Sequence, residues 1–299
     1  MMDFLALLLL LGAYLGLASR RVRAAVRRFA HNKRHGLLLV VSLLLPLLLV
    51  RLPAAAAAPL SFVQDAGVML LYLLVPAAAT LYRPAGARPL HPLDVLAILA
   101  LWFPVEFGWL PRADAQLAAG VALPVPLLTA IVLGLVCFVV LRPLPDIGYT
   151  FTLRRADWGA IGRALGAYLL VALPLGLATR FLVIDLAPFD AGRWLLAWPL
   201  GYLFTALPEE LLFRGVIQNQ LHGRLRREWL ALAVAAVVFG LSHLNNATPG
   251  YPEPNWMYAV MAALAGVAYG WTWRRTGKIT ASAVVHATVN FVWGLLLSG

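Results

Sequence analysis

The sequence predicts an all-α fold, a polytopic membrane helix bundle of eight to ten transmembrane helices. Three observations predict it. The 299 residues are 62% hydrophobic and only 12% charged, against roughly 25% charged residues in an ordinary soluble domain. Mean hydropathy is +0.82, and the apolar residues come in long blocks. The basic residues alternate from one inter-block loop to the next, as they do where loops face opposite sides of a membrane.

The candidate spans are 4–18, 36–52, 66–82, 95–110, 117–141, 164–184, 194–213, 229–244, 256–273 and 281–297. Several fall short of the roughly 20 residues that a straight helix needs to cross the hydrocarbon core, so the expected count is eight to ten. The first span has Asp3 before it and arginines after it. A secretory signal has the reverse arrangement, so the span reads as a retained anchor. Loop 19–35 then carries Arg20, Arg21, Arg23, Arg27, Arg28, Lys33 and Arg34. The loops after the third, fifth, seventh and ninth spans hold Arg83, Arg88, Arg142, Arg154, Arg155, Arg163, Arg214, Arg224, Arg226, Arg227, Arg274, Arg275 and Lys278. The other side has only Arg51, Arg112, Arg180 and Arg193. This bias puts the basic loops in the cytoplasm and both termini outside. It also accounts for the net charge of +11 without nucleic acid, since no basic stripe with interleaved aromatics exists.

Residues 1–141 read as N-terminal transmembrane helices with no legible role. Glu106 is their main polar residue, and with Trp102 and Trp109 it reads as a snorkelling group at an outer membrane edge. Cys137, the only cysteine, lies in an apolar span, which excludes an intrachain disulfide and a thiolate metal cluster. Residues 142–163 form a cytoplasmic amphipathic connector with basic residues and aromatic anchors, suited to the anionic inner leaflet. The third region, 164–299, holds the chemistry. Within it, loop 245–255 contains three prolines and reads as a connector or a gate.

Three patterns stand out at helical spacing. The first is Glu209-Glu210-Leu211-Leu212-Phe213-Arg214, after Pro208. A charge at the bilayer centre costs roughly 2.5–3.5 kcal/mol on insertion scales, so an intramembrane cluster of this kind is a functional hypothesis by default. Glu210 and Arg214 stand four apart with the acid first, the favourable order for an ion pair on one helical face. Glu209 points about 100° away around the helix. Glu210 therefore reads as the structural half of a pair and Glu209 as a free base. The second pattern is Phe239-Gly240-Leu241-Ser242-His243, and the third is His286-Ala287-Thr288-Val289-Asn290, in which His286 and Asn290 share a face. A carboxylate, two imidazoles and an amide from three helices can hold a water, deprotonate it and stabilise the anion formed when it adds to a carbonyl.

This ordered set, Glu209-Glu210-x-x-x-Arg214, Phe239-x-x-x-His243 and His286-x-x-x-Asn290, with Arg274-Arg275-Thr276-Gly277-Lys278-Ile279 leading into the third motif, resembles the CPBP family. That family comprises the type II CAAX prenyl endopeptidases and the bacterial bacteriocin-processing and self-immunity (Abi) proteins. The likeness covers roughly 149–299 and is specific from 208 to 291. The resemblance implies a CPBP-like intramembrane protease core over 164–299, with a glutamate as base and a cavity reached from the cytoplasmic side. It implies that Glu209 activates water with help from His243, that His286 and Asn290 form the oxyanion site, and that Glu210 and Arg214, with Phe239, support the architecture.

The expected substrate is a membrane-associated protein or peptide, and the expected location is the bacterial inner membrane, on the weak ground of an Ala, Leu and Arg bias. No cofactor is expected. Family members have been described both as metalloproteases and as glutamate proteases, so zinc stays open, although His-Glu-x-x-His is absent. His31 and His35 are four apart but lie in the arginine-rich loop. A non-catalytic immunity or scaffold protein is the rival reading, and a transporter is the third. One conflict is internal to these spans. Glu209 falls near the inner end of 194–213 and His243 near the outer end of 229–244, so either the boundaries shift or Pro208 breaks the helix.

Overall fold

Helices supply nearly all regular structure in the computed structural model, which describes residues 1–84, 86–118, 121–185 and 190–298. The chain divides into two units, Met1–Pro145 and Asp146–Gly299. In the first unit α1 (Met2–Gly16) turns through 108° into α2 (Arg20–Phe29). The arginine-rich segment expected as a loop is thus largely helical. Val22, Ala25, Val26 and Phe29 recur at the i, i+3, i+4, i+7 spacing of one helical face, and no residue of α2 is buried. Next come α3 (Lys33–Ser42), α4 (Leu45–Arg51), α5 (Pro59–Leu81), α6 (Pro92–Glu106) and α7 (Val125–Leu135), which runs on as a π-helical turn, Val136–Leu141. The span expected at 117–141 starts later than the sequence suggested. Its first residues belong to a hairpin, Asp114–Ala118 with Val121–Pro124, and Pro126 sits in the first turn of α7, where a missing N–H is harmless. Glu106 accepts a 3.1 Å hydrogen bond from Trp102 Nε1.

The second unit contains α8 (Arg155–Ala178), α9 (Ala191–Gly201), α10 (Leu207–Glu210), α11 (Asn219–Leu225), α12 (Glu228–Leu241), α13 (Trp256–Thr276) and α14 (Ile279–Leu296). Residues 155–163 of the expected connector are the first turns of α8. This helix buries Asp157, Ala160, Ile161, Ala164, Tyr168, Ala172 and Gly176, a stripe at three- and four-residue spacing. Between α9 and α11, π-helical turns at Tyr202–Ala206 and Leu211–Gln218 flank α10, making 191–225 one helical run. Pro208 does not break it. A proline inside a helix removes an i→i−4 bond and crowds the preceding turn, and a π-helical turn, with its wider i→i+5 spacing, stands where that crowding would fall. The expected boundary at 213 therefore shifts to 225, and Glu209 sits within the run instead of near its end.

Close packing of α12 on α13 depends on glycine. A Cβ at Gly240 would lie 2.4 Å from the Ala259 carbonyl oxygen, and one at Gly266 3.0 Å from Ala236 Cα. The segment 245–255 is a tied connector. Asn255 is buried, accepts from Tyr258 N–H at 2.9 Å to start α13, and donates to the Asn246 carbonyl at 2.9 Å. Tyr251 Oη reaches the Thr179 carbonyl at 2.6 Å.

By length and composition, three described helical segments suffice to cross a membrane: Lys33–Ala54, Pro59–Leu81 and Arg155–Ala178, or four if α1 and α2 count as one bent span. Val125–Leu141, Glu228–Leu241 and Ile279–Leu295 are apolar but shorter. Among the described residues the apolar blocks of the sequence thus fold mostly as helices of uneven length, in keeping with an all-α membrane bundle.

Candidate active site

Glu210 is the fixed point of the second unit. Its side chain is fully buried, and three donors surround its two oxygens. Arg214 Nη1 donates to Oε1 at 2.9 Å from one turn along the run. His286 Nδ1 on α14 lies 3.0 Å from the same oxygen. The Ser282 hydroxyl lies 2.5 Å from Oε2 and 2.8 Å from the Tyr269 carbonyl. Buried charges persist only when paired and hydrogen-bonded, and this carboxylate is.

Arg214 is equally enclosed. Its Nη2 donates to the Gly266 carbonyl at 3.2 Å, and its guanidinium lies 4.4 Å from the Phe239 ring centroid and 5.2 Å from that of Tyr269, the arrangement in which ring quadrupoles stabilise a cation. One turn further, Gln218 Nε2 donates to the Gly270 carbonyl at 3.3 Å. The polar side chains at 214 and 218 thus grip two α13 carbonyls that are themselves four residues apart.

His286 is held flat against Tyr269, with centroids 4.5 Å apart and planes 16° apart, and edge-on to Phe239 at 5.7 Å. With Nδ1 committed to Glu210, Nε2 faces Glu209, 3.9 Å from its Oε2. Glu209 is the odd one out. Its side chain is one third exposed, yet Oε2 is buried and accepts no hydrogen bond from any described residue. A buried acceptor without a donor calls for an explanation, and Gln218 Oε1, one turn beyond Arg214, is another.

His243 follows the end of α12. Its Nδ1 lies 2.8 Å from the Phe239 carbonyl. A carbonyl only accepts, so Nδ1–H is the donor in this contact, and Ser242 Oγ lies 3.1 Å from the same nitrogen. The ring stacks on Tyr258 at 5.2 Å and meets Phe239 at 4.8 Å. Phe239 therefore lies between His243 and His286, touching both. No hydrogen bond joins His243 to Glu209 among the described residues. Asn290 lies one turn beyond His286, exposed, with no hydrogen bond to a described residue. The structure thus brings Glu209, Glu210, Arg214, Phe239 and His286 into contact, sets His243 against Phe239, and leaves Asn290 open.

The sequence reading missed Ser282, Tyr269, Tyr258 and the backbone of Gly266. Ser282 had a signal, since Ser282, His286 and Asn290 are spaced by four and share one face of α14. Tyr269 and Gly266 had none, because their roles arise from how α13 packs. Among the described residues, no three His, Cys, Asp or Glu side chains form a group that could hold a metal ion. Residues 191–292, a stretch that includes all of these site residues, match the family model for type II CAAX prenyl endopeptidases, Rce1-like. No curated protein and no solved structure matches the chain.

Proposed function

We propose that this integral membrane protein, whose residues 191–292 match the family model for type II CAAX prenyl endopeptidases, Rce1-like, is a membrane endopeptidase with a peptide or protein substrate, and that it cleaves by glutamate-activated water with Glu209 as the general base. The observation that carries this reading is the orphaned Glu209 Oε2 beside His286 Nε2. Their 3.9 Å separation exceeds a hydrogen bond, and the Glu209 side chain is one third exposed, so water reaches it from the open side.

In this reading Glu209 takes a proton from that water as the oxygen adds to the scissile carbonyl carbon. The carbonyl π electrons move onto oxygen, and Glu209 then passes the proton to the leaving amine nitrogen as the C–N bond breaks. His286 as imidazolium donates through Nδ1 to Glu210 and presents Nε2–H to the developing oxyanion, where a preorganised donor counts most. Asn290, exposed one turn away, supplies a second donor through its side-chain amide. His243, oriented by the Phe239 carbonyl, supports the water with Nε2. The protein's own groups suffice for each step, without a metal, and the setting we favour is a bacterial inner membrane.

The rival is a scaffold that keeps the motif for stability. Comparing peptide termini of the membrane proteome with wild-type chain and with Glu209→Gln separates them. We expect a set of new termini that appears only with wild type; an identical set with the variant would favour the scaffold.

A further inference from the structure

A groove of about 410 Å³ runs between α8 and α13, lined by Arg163, Ala164, Ala167, Tyr168 and Val171 on one side and by Leu264, Val267, Ala268 and Trp271 on the other. On α13 these residues are two positions out of phase with Gly266, Tyr269 and Gly270, which face the candidate site. Two positions correspond to about 200° around a helix, so α13 stands between the groove and the site. From Arg163 to Val171 the groove follows eight residues of α8, about 12 Å at the helical rise.

One end of the groove differs from the rest. Arg163 and Arg275 flank the Trp271 indole, their guanidinium carbons 5.8 Å and 5.5 Å from its ring centroid. Both arginines are exposed. The neighbouring carboxylates are engaged elsewhere: Glu228 pairs with Arg274 at 3.1 Å and Asp157 with Lys278 at 2.5 Å. No described carboxylate lies within ion-pairing distance of Arg163 or Arg275. An apolar trough thus ends in two cations that form no ion pair with a described carboxylate, set around a tryptophan, the residue type that settles at the headgroup level of a bilayer.

We propose that this groove binds an acidic phospholipid, one acyl chain lying along Ala167, Val171, Leu264 and Ala268 and the phosphate held between Arg163 and Arg275. Charge complementarity identifies the occupant. Arginine forks match phosphate oxygens, and basic residues at the membrane surface attract anionic lipid. A peptide is a poorer fit, because the groove walls beyond the arginine end offer its backbone few hydrogen-bonding groups. The site is separate from the peptidase chemistry and stands whichever peptide is cleaved.

Native mass spectrometry of the full-length chain released from detergent micelles tests it, with palmitoyl-oleoyl phosphatidylglycerol and the matching phosphatidylcholine titrated separately. Each basic contact with an acidic headgroup is worth about fivefold, so phosphatidylglycerol should be retained at least ~5-fold over phosphatidylcholine. The preference should vanish in Arg163→Gln/Arg275→Gln. Ala167→Leu, which fills the trough and keeps both arginines, should also weaken retention. All three positions are exposed, and thermal melts establish that the variants fold. Equal retention of the two lipids, or an undiminished preference in the double variant, would overturn the proposal. Undiminished retention by Ala167→Leu would mean surface adsorption without the groove, and equal retention of an uncharged isoprenoid alcohol would assign the groove to another occupant.

Discussion

Glu209 and Glu210 are neighbours in sequence and opposites in environment. One is buried against arginine, serine and histidine, and the other is part exposed with one orphaned oxygen. The split was legible from the sequence, because Arg214 at i+4 selects one acid and the 100° step turns the other away. The donors that complete Glu210 were not, since Ser282 and His286 arrive from a helix more than seventy residues later in the chain. Ser282→Ala should leave a buried carboxylate oxygen short of a donor and cost about 1–3 kcal/mol, seen as a lower melting temperature in detergent. Glu210→Gln should cost more, about 3–5 kcal/mol, because it leaves the Arg214 guanidinium buried without its counter-charge. If both variants melt with wild type, the buried cluster does not hold the fold together as described.

At the scale of elements, the π-helical turns either side of α10 decide where the acids sit. Such turns are rare and concentrate at functional sites, and nothing in composition announces them. This is why the sequence reading ended a span at 213 and met a conflict over the depth of Glu209. Apolar blocks were easy to find, but hydropathy alone does not tell a full span from the shorter Glu228–Leu241. The contact between α12 and α13 was equally hidden, since Gly240 and Gly266 read as ordinary helix-weakening residues. Gly240→Ala drives a methyl into the Ala259 carbonyl and should destabilise by about 1–3 kcal/mol or more. Gly294→Ala, on α14 with open space where its Cβ would stand, serves as the control and should melt at or slightly above wild type. A neutral Gly240→Ala would show that the two helices pack less closely than 2.4 Å implies.

For the whole molecule, the membrane setting and the all-α class follow from composition, because 62% hydrophobic residues in blocks have no soluble packing solution that leaves so few polar residues for the surface. The site followed from scarcity, as thirteen acids in 299 residues make an adjacent pair conspicuous. The chemistry depends on which of those two acids meets water. Turnover of a cleaved peptide by purified protein in lipid nanodiscs, after exhaustive chelation, tests this most directly. Wild type should keep its rate, while Glu209→Gln should lose at least ~100-fold in kcat, the scale of a missing general base, with an unchanged melting temperature. Near-wild-type cleavage by the variant, or loss of wild-type activity on chelation, would contradict the account.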